Sequence, residues 1–302
     1  MTTKAQARVG VIGGTGLYQI EGLTNVREAT IDTPYGKPSD VFTLGDMDGV
    51  PVAFLPRHGK GHRLLPTELP VHANIHAMKQ LGVEQLISVS AVGSLRQEIA
   101  PLDMVVPDQL IDRTRQRKNT FFGDGLVAHV GFGDPFCPAL RAMLADAVSG
   151  TKVHRSGTYV VMEGPAFSTK AESHMYRSWG ASIIGMTALP EAKLAREAEI
   201  CYAVLATATD YDVWHETEEH VSVELVLANL QKNAAVSRAA LKKLIPALGG
   251  ERTCSCGAAL ATALVTPAAL VPHETLERLG PIVSKYMPQP VKTPLLNGRE
   301  PE

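Results

Sequence analysis

The segment "CYAVLATATDYDVW" places Asp210 and Asp212 two residues apart at the end of an apolar run. Residues two apart in an extended chain point to the same side, so both carboxyls can face one ligand. One could accept a hydrogen bond from an exocyclic amine. The other, its pKa raised by burial and a like-charged neighbour, could deliver a proton. An Asx-turn or half a metal site would use the same two residues.

A second such stretch is "VGVIGGTGLY", Val9 to Tyr18. Val9 to Ile12 reads as a buried strand, and Gly13, Gly14 and Gly16 let the next turn approach an anion without a Cβ in the way. The dinucleotide fingerprint fails, because Gln19 stands where its third glycine belongs. The ATPase phosphate loop fails for want of a Gly-Lys-Ser/Thr ending. Two readings remain: a cradle for one phosphate built from backbone N–H groups and the Thr15 hydroxyl, or a tight strand end.

Other polar residues follow apolar runs in the same way. Arg57 and His58 follow "VAFLP", Ser90 and Ala91 follow "LISV", and Met186 and Thr187 follow "SIIG". Arg57 supplies a charge-assisted fork, while Thr15, Ser90 and Thr187 supply hydroxyl donors beside backbone amides. Gathered at strand ends they form a site for a free dianion. Taken singly, "RHGKGHR" is an exposed basic turn and the Ser and Thr residues are helix caps.

The elements that must position these groups are legible as strand-like runs at 50–56, 83–92, 103–111, 157–164, 181–187 and 201–210. Between them lie helix-period segments such as "LPVHANIHAMKQLG" and "ALPEAKLAREAEI". That alternation predicts an α/β architecture around a largely parallel, buried sheet. A long helix begins at Ser222, with Glu224 early and lysines late, as the helix dipole favours. After Gly249 and Gly250 come "CSCGAALATALV", a helix around "HETLERL" and a proline-rich tail.

With 302 residues, 45% hydrophobic and 20% charged, the chain has ample core for a globular protein. A net charge of −2 gathers neither nucleic acid nor anionic lipid, which favours a small-molecule partner. The absence of a membrane-length apolar run, and of a signal-like region after "MTTKAQAR", predicts the cytoplasm. Cys137 and Cys201 read as small apolar fillers. Cys254 and Cys256 could form a redox-active disulfide or half a metal site, but no second Cys/His pair at zinc spacing follows, so a reduced structural role is expected. His72 and His76, four apart, mimic half a metal site without a third ligand.

"GVIGGTGLY", "TPYGKPSD", "RHGKGHRLLPTELPVHANI", "SAVGSL", "EGPAFSTKAESHMYRSWGASIIGMTALPEAKLAREAEICYA" and "ATDYDVW" resemble, in order and spacing, the methylthioadenosine phosphorylases of the purine nucleoside phosphorylase family. The resemblance covers about 8–246 and implies a single α/β domain with a mixed, largely parallel twisted sheet flanked by helices. A helical extension would then cover 247–287 and a mobile tail 288–302. It implies phosphorolysis of 5′-methylthioadenosine without metal or organic cofactor, inorganic phosphate being a co-substrate. By position, Thr15, Arg57, His58, Ser90, Ala91 and Thr187 would hold phosphate. Met186 would lie along the ribose, Phe167 and Ser168 would border the base, and Asp210 and Asp212 would read N7 and the 6-amino group. Val223 and Leu227 would line the methylthio pocket, joined by His129 from a neighbouring subunit of a trimer or dimer of trimers.

On this reading Asp210 is the proton donor to the leaving purine. Two carboxyls at the base edge favour adenine over 6-oxopurines, and weaker activity on adenosine is expected. A 6-oxopurine nucleoside or methylthioinosine phosphorylase, and a nucleotide-cofactor-binding protein, are the alternatives. Gly185 departs from the asparagine of several members. The Cys-x-Cys segment resembles the ends of some, including thermophile proteins with disulfides there, but that pairing does not carry over from one sequence.

Overall fold

The computed structural model describes residues 5–14, 17, 20–215 and 223–287, the side chains of 223–227 excepted. Its strands are β1 (Val9–Gly13), β2 (Leu23–Ala29), β3 (Phe42–Met47), β4 (Val50–Pro56), β5 (Gln85–Ser94), β6 (Met104–Val105), β7 (Gln109–Arg113), β8 (Val153–His154), β9 (Thr158–Met162), β10 (Ile183–Gly185) and β11 (Cys201–Asp210). The helices are α1 (Val71–Leu81), α2 (Pro138–Ala147), α3 (Lys170–Ser178), α4 (Ala188–Glu197), α5 (Val223–Ala247) and α6 (His273–Leu279).

The strands form one mixed sheet in the order β2-β3-β4-β1-β5-β10-β9-β7, and β11 joins at β5, leading on to β6 and β8. The pairs β4-β1, β1-β5, β5-β11, β10-β9 and β9-β7 are parallel. The pairs β2-β3, β3-β4, β5-β10 and β11-β6 are antiparallel.

All of β11 is buried, as a central strand covered on both faces requires. Its period of two sorts the side chains. Tyr202, Val204, Ala206 and Ala208 join the apolar cluster containing Ile75 of α1 and Ala192 of α4. Cys201, Ala203 and Leu205 join the cluster containing Leu144 of α2 and Leu241 and Leu244 of α5. The strand is thus the divider between two helical layers.

The expected strand over 103–111 is two strands, β6 and β7, because Pro107 between them lacks an N–H for the ladder. The expected strand over 83–92 is β5, Gln85–Ser94, which begins two residues later and runs two residues further. The helix at α3 carries a capping box, Thr169 with Glu172, a signal present in "STKAE". Beyond Ala247 the chain makes short 3₁₀ turns and α6, and Leu260, Leu279, Ile282 and Val283 are buried in the same cluster as Ile75 and Phe121. Ser222 and the tail from 288 lie outside the described residues.

Glu197, late in α4, accepts hydrogen bonds from Thr120 Oγ1 and the Phe121 N–H, both at 2.6 Å. Burial, only partly countered by these bonds, lifts its pKa from 4.5 to about 7. A carboxyl whose pKa rises on folding contributes stability below its unfolded pKa and loses it as pH rises through the folded value. Urea unfolding should therefore show about 3 kcal/mol of stability lost between about pH 4.5 and about pH 8 from this group. Glu197→Gln should flatten that slope; an unchanged slope in the variant would disprove the assignment.

Candidate active site

At the carboxyl ends of β1, β4, β5, β10 and β11 lies a cavity of about 380 Å³. Gly14, Arg57, His58, Ser90, Ala91 and Thr187 line one part of it, and Met186, Phe167, Asp210 and Asp212 another. Leu230 and Ala234 of α5 contribute an apolar wall.

Arg57 follows β4 and is almost wholly buried, at 2% exposure. Its Nε donates to Glu191 Oε1 at 2.6 Å, and its Nη2 to Ser88 Oγ at 2.6 Å and Glu191 Oε2 at 3.2 Å. Nη1 donates to the Val89 carbonyl at 2.9 Å. The Tyr202 hydroxyl donates to Glu191 Oε2 at 2.9 Å, completing a network between sheet and α4. The fork expected to grip a dianion is therefore turned mostly into the protein, leaving one Nη1–H without a protein partner among the described residues.

Ser90 and Thr187 hydroxyls lie 2.9 Å apart, with the Tyr159 hydroxyl 3.4 Å from Ser90. Thr187 precedes α4 without capping it, so its hydroxyl is not tied to the helix as the capping reading required. His58 Nδ1 lies 2.8 Å from the Leu64 carbonyl, which can only accept, so Nδ1 carries the proton. Burial holds the His58 pKa down to about 4. The ring is thus neutral near pH 7, with Nε2 unprotonated. Thr15 lies outside the described residues.

The two aspartates meet at the cavity by a route the sequence did not specify. A bulge shifts the β5-β11 register between Ala208 and Asp210, setting Asp210 opposite Gly93. A Cβ on Gly93 would come within 3.0 Å of Asp210 Oδ1, so glycine makes room for that carboxyl. Asp212 is not extended: its φ is 51°, and its N–H donates to Asp210 Oδ1 at 2.8 Å. An Asx-turn, rather than strand alternation, gathers the pair. Burial raises both pKa values; for Asp210 the Thr209 hydroxyl and Asp212 N–H pull back, and for Asp212 the hydroxyls of Ser173 and Ser168 do so. Among the described residues, no hydrogen bond closes on the buried Asp212 Oδ2, the Ser168 and Ser173 hydroxyls standing near the carboxyl without reaching it.

Ser168 is buried near this end, and Phe167 is half exposed at 47%. His129 is exposed on a loop and does not line this chain's cavity. Val223 and Leu227 fall in the first turns of α5, where side chains lie outside the described set.

Several supporting residues went unread in the sequence. Glu191 and Ser88 hold Arg57, and Tyr202 holds Glu191. Asn229 and Asn233 of α5 donate to the Thr209 and Ala208 carbonyls at 2.7 and 3.1 Å, fixing the bulge. Their spacing of four, continued by the buried Ser237 four residues further on, was the available signal. Arg117 donates to the carbonyls of Met186, Leu189 and Glu163, fastening the Met186 turn. Gly185 is explained by Tyr159, whose hydroxyl fills the space a Cβ would need.

A family model for the phosphorylase superfamily matches residues 8–246. An S-methyl-5′-thioadenosine phosphorylase of Synechocystis is 57% identical, covering 95% of this chain and 90% of its own length. One from Geobacter sulfurreducens is 56% identical, covering 92% and 99%. A crystal structure of a methylthioadenosine phosphorylase from an antarctic soil metagenomic library superposes with a TM-score of 0.89 at 51% identity, covering 92% of this chain and 99% of that one. A mutant of the Schistosoma mansoni adenosine/methylthioadenosine phosphorylase, in complex with methylthioadenosine, gives 0.78 at 35% identity, covering 84% and 96%.

Removing one member of the buried ion pair strands the other charge. Glu191→Ala should cost about 3–5 kcal/mol in denaturant unfolding. A loss below about 1 kcal/mol, as for an exposed pair, would mean that Arg57 finds another partner.

Proposed function

Because the chain belongs to the phosphorylase superfamily, we propose that its cavity carries out reversible phosphorolysis of 5′-methylthioadenosine, releasing adenine and 5-methylthioribose 1-phosphate. The observation that carries this reading is the pairing of two buried carboxyls with raised pKa, Asp210 and Asp212, with a cluster of anion donors in one cavity.

Cleavage of an N-glycosidic bond leaves positive charge on the sugar and negative charge on the purine. Phosphate, held by Ser90, Thr187, the Ala91 backbone and the remaining Arg57 N–H, supplies the anion that meets the sugar; Thr15 would join them. Asp210 supplies the proton at N7. The Thr209 hydroxyl has one hydrogen and two acceptors in reach, Asp210 Oδ2 at 2.6 Å and the Val92 carbonyl at 3.2 Å. A protonated Asp210 can rest as a donor to Thr209, which then donates to Val92, until N7 of the bound purine takes that proton. No organic cofactor is called for, and inorganic phosphate is the second substrate.

The unpartnered Asp212 Oδ2 suits the 6-amino donor of adenine. Against a 6-oxo group an ionised carboxyl sets acceptor against acceptor, a mismatch on the order of 10⁴-fold. The Leu230 and Ala234 wall, which Val223 and Leu227 would extend, accepts a thioether; a 5′-hydroxyl is rejected there by roughly a hundredfold, leaving weaker activity on adenosine. Phe167 and Ser168 border the base, and Met186 lies along the ribose. His129, which does not line its own chain's cavity, would serve that of a neighbouring copy in a trimer or dimer of trimers. The described residues contain no helix long and apolar enough to cross a membrane. We place the enzyme in the cytoplasm, in methionine and purine salvage, without nucleic-acid or membrane partners.

Base release from methylthioadenosine, adenosine, methylthioinosine and inosine should be phosphate-dependent and fastest with the first. Preference for the inosine substrates would overturn the role of Asp212. Asp210→Asn should lower kcat by about 10²–10⁴-fold, and near-normal turnover would remove Asp210 as the acid.

A further inference from the structure

The four cysteines, scattered through the sequence, meet at the opposite end of β11 from the aspartates. Cys137 immediately precedes α2, Cys201 opens β11, and Cys254 and Cys256 lie in the turn after α5. The alternation of β11 that sends Ala203 and Leu205 to the α2-α5 layer sends Cys201 there too. All four Sγ atoms lie within 4.8 Å of one another, and none is in a disulfide. Four thiolates about 2.3 Å from a zinc ion form a tetrahedron with edges of about 3.8 Å, which this cluster reaches by small side-chain movements. The tightest pair, Cys201 and Cys254, stands at 3.2 Å and need only open slightly.

The surroundings fit a closed metal site. Cys137, Cys201 and Cys256 are buried and Cys254 is half-buried. A second cavity, of about 220 Å³, touches Cys137, Cys201 and Cys254 and gives an ion a way in. A zinc ion with four thiolates carries a net double negative charge, which needs a positive neighbour. Arg252 supplies it: its Nη1 lies 3.9 Å from Cys201 Sγ and is aimed by the Glu199 carbonyl at 2.9 Å.

We propose that Cys137, Cys201, Cys254 and Cys256 form a tetrahedral thiolate site for a divalent thiophilic cation of the zinc class. With all four positions taken by protein, the ion does no chemistry on substrate. It fastens the segment after α5 to the sheet, each ligating thiol giving up its proton to solvent. The separation along β11, ten residues at about 3.3 Å each, sets the site about 30 Å from Asp210.

The test uses untagged full-length protein, purified with reductant, loaded with zinc and freed of excess ion. Elemental analysis should find one zinc per chain. Thiol titration of the native protein should find the cysteines protected, and a strong chelator should expose all four. Cobalt in place of zinc should give the intense visible bands of tetrahedral thiolate coordination. Cys254→Ser, at the half-buried position, should keep the fold by circular dichroism and keep phosphorolysis, yet bind zinc roughly a hundredfold more weakly. It should also lose the drop in Tm that chelation causes in the parent. Four reactive thiols in the zinc-treated protein would overturn the proposal, as would thiols freed by reductant but not by chelator, which would mean disulfides. Unchanged zinc content in both Cys254→Ser and Cys256→Ser would overturn it too.

Discussion

Everything at the carboxyl ends of the central strands depends on how a guanidinium and a carboxylate are kept together out of water. Arg57 and Glu191 are each almost fully buried, and desolvating two such charges is tolerable only with close geometry and further hydrogen bonds to both. The further bonds come from elements distant in sequence: Ser88 and Val89 of β5, Tyr202 of β11 and, more weakly, Ile12 of β1. A pair that must be satisfied from four directions fixes the relative positions of β1, β4, β5, β11 and α4. The Ser90 and Thr187 hydroxyls and the neutral His58 imidazole sit on that frame.

At the other side of the cavity the frame is a fault in the sheet. A regular β11 would carry Thr209 and Asp210 straight past Gly93. The bulge, clamped by two asparagines of α5 on consecutive carbonyls, turns Asp210 inward, and the Asx-turn returns Asp212 beside it. Two carboxyls are thus buried close together at a modest backbone cost, and burial itself keeps them protonatable.

Much of this is legible in the sequence, but unevenly. Buried strands such as 50–56 and 201–210 announce themselves because a central parallel strand must be apolar on both faces. Arg57, Ser90, Thr187 and the aspartates stand out because polar residues at the ends of such runs have few structural reasons to be there. What escapes is the partnering. Glu191 looks like any helical glutamate, Arg117 like a loop cation, and Cys137 like a filler, because the contacts that define them span 134, 69 and, for Cys137 to Cys201, 64 residues. Even the correct placement of Asp210 and Asp212 on one side has a different cause from the expected one, since a turn does the gathering that strand alternation predicts.

Tyr159 and Gly185 occupy one shared volume, the ring and hydroxyl of the first standing where any side chain of the second would grow. The two positions are therefore sterically coupled: a side chain at 185 needs a shorter or displaced one at 159, and shortening residue 159 removes the hydroxyl beside Ser90.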